Sequence, residues 1–334
     1  MRIHPASAHS VERAAEELAA GRLVAFPTET VYGLGADASN PDAVARIYQL
    51  KGRPPDHPLI VHVRNAEVAR LWAHWTDLAE RLATAFWPGP LTIIVNRLDS
   101  ACAAACGGQA TIGLRAPAHP VSIALLEAFE RHGGSGIAAP SANRFGRVSP
   151  TRASHVIDDL GDEAPFVIDG GECAVGLEST IVDLSRARPA LLRPGGLAAP
   201  DIERVLGCVL LAPDAQAPRV SGSLAAHYAP RTVLELIDSA AIDGRLASLA
   251  AAGLSAAVWS HERPRGVHQL WRAASQDPRI FGHELYAALR DLDAAGVRRI
   301  LVERPPPGEA WLAISDRLAR AEVGASAQAD SLST

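Results

Sequence analysis

The sequence predicts a two-part α/β protein, a mixed sheet clad in helices followed by a smaller, parallel, Rossmann-like α/β domain. Over residues 7–200, short apolar runs and capped helical segments follow one another at spacings that mix crossover helices with closely set strands. From 201 to 231 the composition shifts to Ala, Pro, Ser, Gly and Arg with little periodicity, a linker longer than most connections inside compact domains. From 232 to 323 strand and helix alternate simply, as in a parallel α/β unit, and 324–334 read as a flexible polar tail.

In chain order, Ser10 is placed to cap a helix through Ala20, with Gly21 just past its end. Residues 23–26 read as a short buried strand. That strand breaks at Pro27 into Thr28, Glu29 and Thr30, side chains that a plain core strand would not choose. Asn40 and Pro41 read as N-cap and first residue of a helix reaching Leu50. Lys51-Gly52-Arg53 leaves its C-terminal end, and Pro54-Pro55 prevents it continuing. Strands are expected at 59–63, 91–95, 111–114 and 137–139, with helices at 76–86 and 121–129. Ser149-Pro150 offers a second N-cap pair, for a helix ending near Gly161. Strands at 166–169 and 180–184 and a short helix at 200–206 complete the first part. In the second, strands fall near Val233, at 256–259 and at 299–302, with helices to Ala251, from Asp277-Pro278, and around 311–318.

Composition bounds the function. The chain has 334 residues, 48% hydrophobic and 21% charged, the balance of soluble globular domains. A formal charge of -5 argues against a surface that grips nucleic acid throughout, while leaving room for a local basic pocket. No apolar run nears the roughly 20 residues that span a bilayer, and the N-terminus shows no apolar core of a secretory signal. Cys102, Cys106, Cys173 and Cys208 are few and irregularly spaced, which favours reduced thiols in a cytoplasmic protein over disulfides or a zinc site.

Several segments could carry chemistry. Gly33-Leu34-Gly35-Ala36-Asp37-Ala38 fits a loose dinucleotide fingerprint, but that fingerprint needs the helix to open inside the motif. Here the helix start lies later, at Asn40, so the two glycines are expected to serve backbone shape. Lys51-Gly52-Arg53 sets two cations on a tight turn, suited to a triphosphate; a basic helix C-terminus favoured by the helix dipole is the alternative, and taken alone it is the stronger one. Arg115 ends an apolar strand, where a buried guanidinium needs a carboxylate or phosphate partner. Ser141 and Asn143 sit in a loop at a strand end, where binding groups concentrate, though turn chemistry alone accounts for such residues. No serine-hydrolase elbow, zincin helix or Walker lysine is present.

Together these segments resemble one family. TETVYGLG, KGRP followed by HPLIVHV, FWPGPLT, GLRAP, APSAN, SPT, GLESTIVD and LLRPG stand in the order found in the YrdC/Sua5 family of threonylcarbamoyl-AMP synthases. The resemblance covers roughly 7–200, and the linker with its His227-Tyr228-Ala229-Pro230 and the last domain resemble the longer Sua5 type. It implies a YrdC-like twisted mixed sheet with a concave active-site face. It implies that L-threonine, bicarbonate or CO2, and ATP are joined into L-threonylcarbamoyladenylate with release of diphosphate. That is the first step of N6-threonylcarbamoyladenosine formation at position 37 of ANN-decoding tRNAs, and a separate transferase takes the adenylate onward.

Residue by residue, the resemblance places catalytic roles on Lys51, Arg53, Ser141 and Asn143. Threonine binding falls on Thr30, His62, Arg115, the backbone of Ala139, and Ser179. ATP binding falls on Arg53, His57, Thr111, Ser141, Ser149 and Arg193, with Tyr228 closing over the nucleotide. Mg2+ is expected on the ATP phosphates rather than on protein side chains. The chemistry of the residues agrees: Arg115 suits a carboxylate, Thr30, His62 and Ser179 suit a β-hydroxyl, and Lys51 and Arg53 suit departing diphosphate. Two rivals are an RNA- or tRNA-binding module without catalysis, and a carbamoyl-transfer enzyme of the hydrogenase-maturation kind. The acidic charge weighs against the first, although weak tRNA contact fits the family, and the lack of clustered cysteines weighs against the second.

Overall fold

The computed structural model describes residues 2–332, which divide into two compact units: 2–145 with 150–223, and 146–149 with 224–332. The division falls inside the segment 201–231 read as a linker, whose beginning is occupied by a helix. Among the described residues no helix is long and apolar enough to cross a membrane.

The first unit is a mixed ten-stranded sheet. Its strands are β1 (Ile3–Pro5), β2 (Val24–Phe26), β3 (Gly33–Asp37), β4 (Ile60–His62) and β5 (Leu91–Asn96), then β6 (Thr111–Arg115), β7 (Ile137–Ala138), β8 (Phe166–Asp169), β9 (Thr180–Asp183) and β10 (Ala190–Arg193). They lie in the order β1-β8-β2-β3-β7-β4-β6-β5-β9-β10. The helices are α1 (Ala8–Ala19), α2 (Pro41–Lys51), α3 (Ala66–Ala69), α4 (Asp77–Phe86), α5 (Pro120–Arg131), α6 (Ala153–Leu160) and α7 (Ala199–Leu206). Alternation along β2 shows how the layers form. Val24 and Phe26 pack with Val11, Leu18 and Phe129 of α1 and α5, whereas Ala25 between them joins a separate, larger core.

The second unit has β11 (Val233–Ile237), β12 (Ala256–Ser260), β13 (Leu270–Ala273) and β14 (Arg299–Glu303), all parallel in the order β11-β14-β12-β13. Helices α8 (Ile242–Ala251), α9 (Pro278–Ala294) and α10 (Leu312–Leu332) complete it. The expected fold class, a mixed α/β sheet followed by a smaller parallel unit, is the one observed.

Strands β1, β10 and β13 lie outside the sequence-based expectations, and four further details differ from them. The cap of α1 is Ser7; Ser10 is its reciprocal partner, each hydroxyl accepting the other's backbone N–H at 3.1 and 2.9 Å. Ser149-Pro150 starts no helix, because Pro150 offers its carbonyl to Tyr32 N at 2.8 Å and α6 begins only after Arg152. The glycine-rich segment 33–37 is itself a strand, paired with β2 and β7. Cβ atoms at Gly33 and Gly35 would meet the Phe26 ring at 3.4 and 2.8 Å, so these glycines allow close packing between strands. Finally, α10 runs to Leu332 through the segment 324–334 read as a polar tail, residues 333–334 lying outside those described. Ala319, Ala321, Ala325 and Ala327 favour helix, and Ala325 is buried, which outweighs the single Gly324.

Candidate active site

The turn after β2 is locked by Thr28, whose hydroxyl accepts the N–H groups of Thr30 and Val31 at 3.2 Å each and donates to Val31 O at 2.7 Å. This holds the buried Thr30 with its own hydroxyl 2.8 Å from that of Thr28. Next to Thr30 stands Glu29, also buried, to which no sequence-based role was given. Its Oε1 lies 2.6 Å from Arg115 Nη2, and its Oε2 accepts the Ala118 N–H at 3.0 Å. Arg115 is delivered by the end of β6, where it stands in register beside His62 of the parallel neighbour β4. His62 is buried, its ring edge-on to Phe26 at 6.1 Å. Neither of its ring nitrogens meets a partner in good hydrogen-bond geometry. Burial, then the Arg115 charge, pull its pKa down to about 3 against a weaker opposing pull from the backbone of Ile137 and Ile60. Ala139 follows β7 directly, and its N–H donates to Ile60 O at 2.9 Å.

A second group forms at the end of α2. Asn40 caps the helix start, accepting from Asp42 N and Ala43 N, as its sequence predicts. At the other end Gly52 takes the left-handed conformation, φ 64°, so the chain turns sharply between Lys51 and Arg53. Lys51 is buried and its Nζ donates to the carbonyls of Ser141, at 2.6 Å, and Asn143. Burial first, and then Arg53, hold its pKa well below the usual lysine value. The loop carrying Ser141 and Asn143 is stitched to β3 by Leu34 N to Pro140 O and Ala142 N to Tyr32 O, both 2.8 Å. Of the expected constellation, Lys51 thus touches the backbone of Ser141 and Asn143, while the Arg53 side chain turns toward Pro58 and Ser221.

Two guanidiniums form the third group. Arg53 donates through Nη2 to Pro58 O at 2.9 Å and touches the Ser221 hydroxyl at 3.5 Å. Arg193, at the end of β10, donates to Ser221 O at 2.6 Å, to Ser179 O at 2.9 Å and to Ser179 Oγ at 3.1 Å. The Ser179 hydroxyl is in turn 2.7 Å from that of the fully buried Thr92. The loop before β5 links this group to the first, because Gly89 O accepts from Arg115 Nε at 3.3 Å while Pro90 O accepts from Thr180 N at 2.9 Å. Thr111 lines a shallow cleft beside Pro58, Ile60, Gly113 and Ser221. His57 stands edge-on to Phe145 at 5.6 Å, its pKa lowered by burial and then by Arg53.

Ser149 and Tyr228 belong to the second unit. Ser149 O accepts from Arg290 Nε at 3.4 Å. Tyr228, with φ 60°, stacks on Tyr286 at 5.6 Å and lies under the Arg317 guanidinium at 5.4 Å. Sequence reasoning missed Glu29, Thr92 and Ser221. Only Glu29 carried a signal, a carboxylate directly after an apolar strand; Thr92 is an ordinary strand residue by type.

Comparison with known proteins adds to this geometry. Residues 16–195 match the family model of Sua5, YciO and YrdC proteins, described as Telomere recombination. Residues 197–322 match the model described as Threonylcarbamoyl-AMP synthase, C-terminal domain. The threonylcarbamoyl-AMP synthase of Pyrococcus abyssi is 38% identical over 322 residues, covering 90% of each chain. That of Bacillus subtilis is 37% identical over 328 residues, covering 94% of this chain and 93% of its own. The crystal structure of P. abyssi Sua5 complexed with L-threonine matches with a TM-score of 0.89 at 35% identity, over 97% of this chain and 98% of that one. Escherichia coli YciO, at 22% identity and a TM-score of 0.51 over 58% of this chain and 95% of its own, shares the fold.

Proposed function

Since the chain belongs to the Sua5–YciO–YrdC family, we propose that it is an enzyme joining L-threonine, bicarbonate or CO2, and ATP into L-threonylcarbamoyladenylate and diphosphate. The adenylate then passes to a separate transferase that modifies adenosine 37 of ANN-decoding tRNAs. One observation carries the proposal: Arg193 holds Ser179 on one side and shares Ser221 with Arg53 on the other. The expected amino-acid group and the expected phosphate group are thereby joined through a single guanidinium.

The chemistry follows from what these side chains can hold. Arg115 takes the threonine carboxylate, while Thr30, His62 and Ser179 surround its hydroxyl; a buried polar group left unpaired by an analogue lacking that hydroxyl gives the selectivity. The threonine ammonium first loses a proton to solvent; the free amine then forms a bond to the carbon of CO2 and loses a second proton, giving a carbamate. A carbamate oxygen attacks the α-phosphorus as the bond to the diphosphate oxygen breaks. Lys51, Arg53 and Arg193 neutralise the charge that develops on the leaving diphosphate. Mg2+ would travel on the ATP phosphates and add to that neutralisation. Lys51, Arg53 and Arg193 supply the protein's own positive charge for those phosphates. Tyr228 is the residue proposed to close over the nucleotide. Diphosphate release measured with ATP, bicarbonate and each amino acid in turn tests the proposal. Release selective for threonine supports it; equal release with all amino acids, or undiminished release after removal of bicarbonate, sinks it.

A further inference from the structure

Glu29 is the charged residue of the turn after β2, and the proposed reaction gives it no task. Its side chain is only 9% exposed, and it is gripped from two sides, by Arg115 through Oε1 and by the Ala118 N–H through Oε2. A carboxylate placed there merely to neutralise Arg115 would be expected to meet it in full hydrogen-bonding geometry. It does not. Glu29 Oε1 and Arg115 Nη2 approach to 2.6 Å, yet both atoms are buried without a hydrogen-bond partner. Each keeps an unmet direction, one for a donor and one for an acceptor. Both ring nitrogens of His62, next to Arg115 across β4 and β6, are likewise unmet. Buried polar atoms are rarely left so, because each loses its water and gains nothing in exchange. The cluster is complementary to a ligand that brings both a donor and an acceptor.

Charge narrows the class of ligand. A pocket holding Arg115 alone would favour any carboxylate. A pocket with a cation and an anion side by side favours a molecule whose own opposite charges are adjacent, and an α-amino acid zwitterion is such a molecule. We propose that Glu29 is a specificity-determining residue that reads the α-ammonium of the amino-acid substrate while Arg115 takes its carboxylate. The pocket then selects amino acids over hydroxy acids of the same shape. The assignment rests on the proposed placement of threonine beside Arg115.

Calorimetric titration of the full chain with L-threonine, with (R)-3-hydroxybutyrate (threonine without its amine) and with (R)-1-aminopropan-2-ol (threonine without its carboxylate) tests it. The wild type should prefer threonine to (R)-3-hydroxybutyrate by roughly 10- to 100-fold, the range of a hydrogen bond to a charged group. It should likewise prefer threonine to the amino alcohol, whose ammonium cannot reach Arg115 favourably. In Glu29→Gln, threonine should weaken by that factor while (R)-3-hydroxybutyrate holds or tightens, since Arg115 no longer shares its charge. Glu29→Asp keeps the carboxylate and should keep most of the preference, which guards against a Gln variant that fails to fold. Equal weakening of both ligands in Glu29→Gln would make Glu29 a mere prop for Arg115 and overturn the assignment. So would a wild type that binds (R)-3-hydroxybutyrate as tightly as threonine, a comparison that needs no variant. A wild type that shows the preference but releases no diphosphate supports the assignment and sinks the proposed synthesis instead.

Discussion

Thr92 shows how much of this site is built one step away from any ligand. Its hydroxyl, 2.7 Å from that of Ser179, fixes where Ser179 points, and Arg193 fixes the same oxygen from the other side at 3.1 Å. Thr92→Val keeps the shape and removes one neutral hydrogen bond, worth about 1 kcal/mol. Steady-state kinetics should show the threonine KM rising about fivefold with kcat little changed; an unchanged KM would deny Thr92 this positioning role. His62 gives a pH prediction. Its folded pKa of about 3 lies below the ordinary histidine value of 6.5, so the unfolded chain binds the proton more readily. Stability from this source is fully present above pH 6.5 and falls as pH drops toward 3, by a few kcal/mol in all. Denaturant titrations of His62→Gln should show a correspondingly shallower loss between pH 6.5 and 4; a slope equal to wild type would contradict the assignment. Neither Thr92 nor the depth of His62 was legible in the sequence, because a threonine in an apolar strand is ordinary and burial depends on neighbours far along the chain.

At the scale of elements, the site depends on two glycines that act in different ways. Gly52 turns the chain in the left-handed region, and a Cβ there would meet nothing within 4 Å, so only backbone conformation is at stake. Gly52→Ala should cost about 1 kcal/mol, and Gly52→Asn less, in thermal or denaturant unfolding. A Cβ on Gly195 would lie 2.4 Å from Glu178 O and Thr180 N, backbone atoms on either side of Ser179. Gly195→Ala must therefore displace Ser179, and threonine-dependent turnover should fall at least tenfold even if the fold survives; full activity would show that Ser179 is not where threonine is read. The helix α2 was readable at both ends, from Asn40-Pro41 and from Lys51-Gly52, because caps and left-handed turns are local chemistry. Strand β3 was not, since Gly33 and Gly35 look like a loop until Phe26 and Ile137 are seen packed on them.

At the scale of the molecule, all members of the Glu29–Arg115–His62 group, together with Lys51, Arg53, Ser179 and Arg193, lie in the first unit, which has its own core. A chain ended at Ser223 should fold and bind threonine within about threefold of the full chain, by calorimetry, a margin well under 1 kcal/mol. It should bind ATP more weakly, because the proposed nucleotide contact Tyr228 is gone and Ser149 loses Arg290, which donates to its carbonyl; Tyr228→Ala in the full chain should raise the ATP requirement in the same direction. The two-part plan was legible because apolar periodicity and a composition shift are properties of long windows. The α10 extension and the missed edge strand β13 were not, for the one ran through residues read as polar and the other is short and largely exposed.

The central claim is that one site brings threonine, a one-carbon unit and AMP together. Incubation of the enzyme with tritiated threonine, carbon-14 bicarbonate and ATP, followed by separation of the adenylates, tests it most directly. A single adenylate carrying both labels in equal amounts, formed in step with diphosphate, is the predicted result. An adenylate that carries tritium without carbon-14, the mark of simple threonyl-AMP formation, would contradict it.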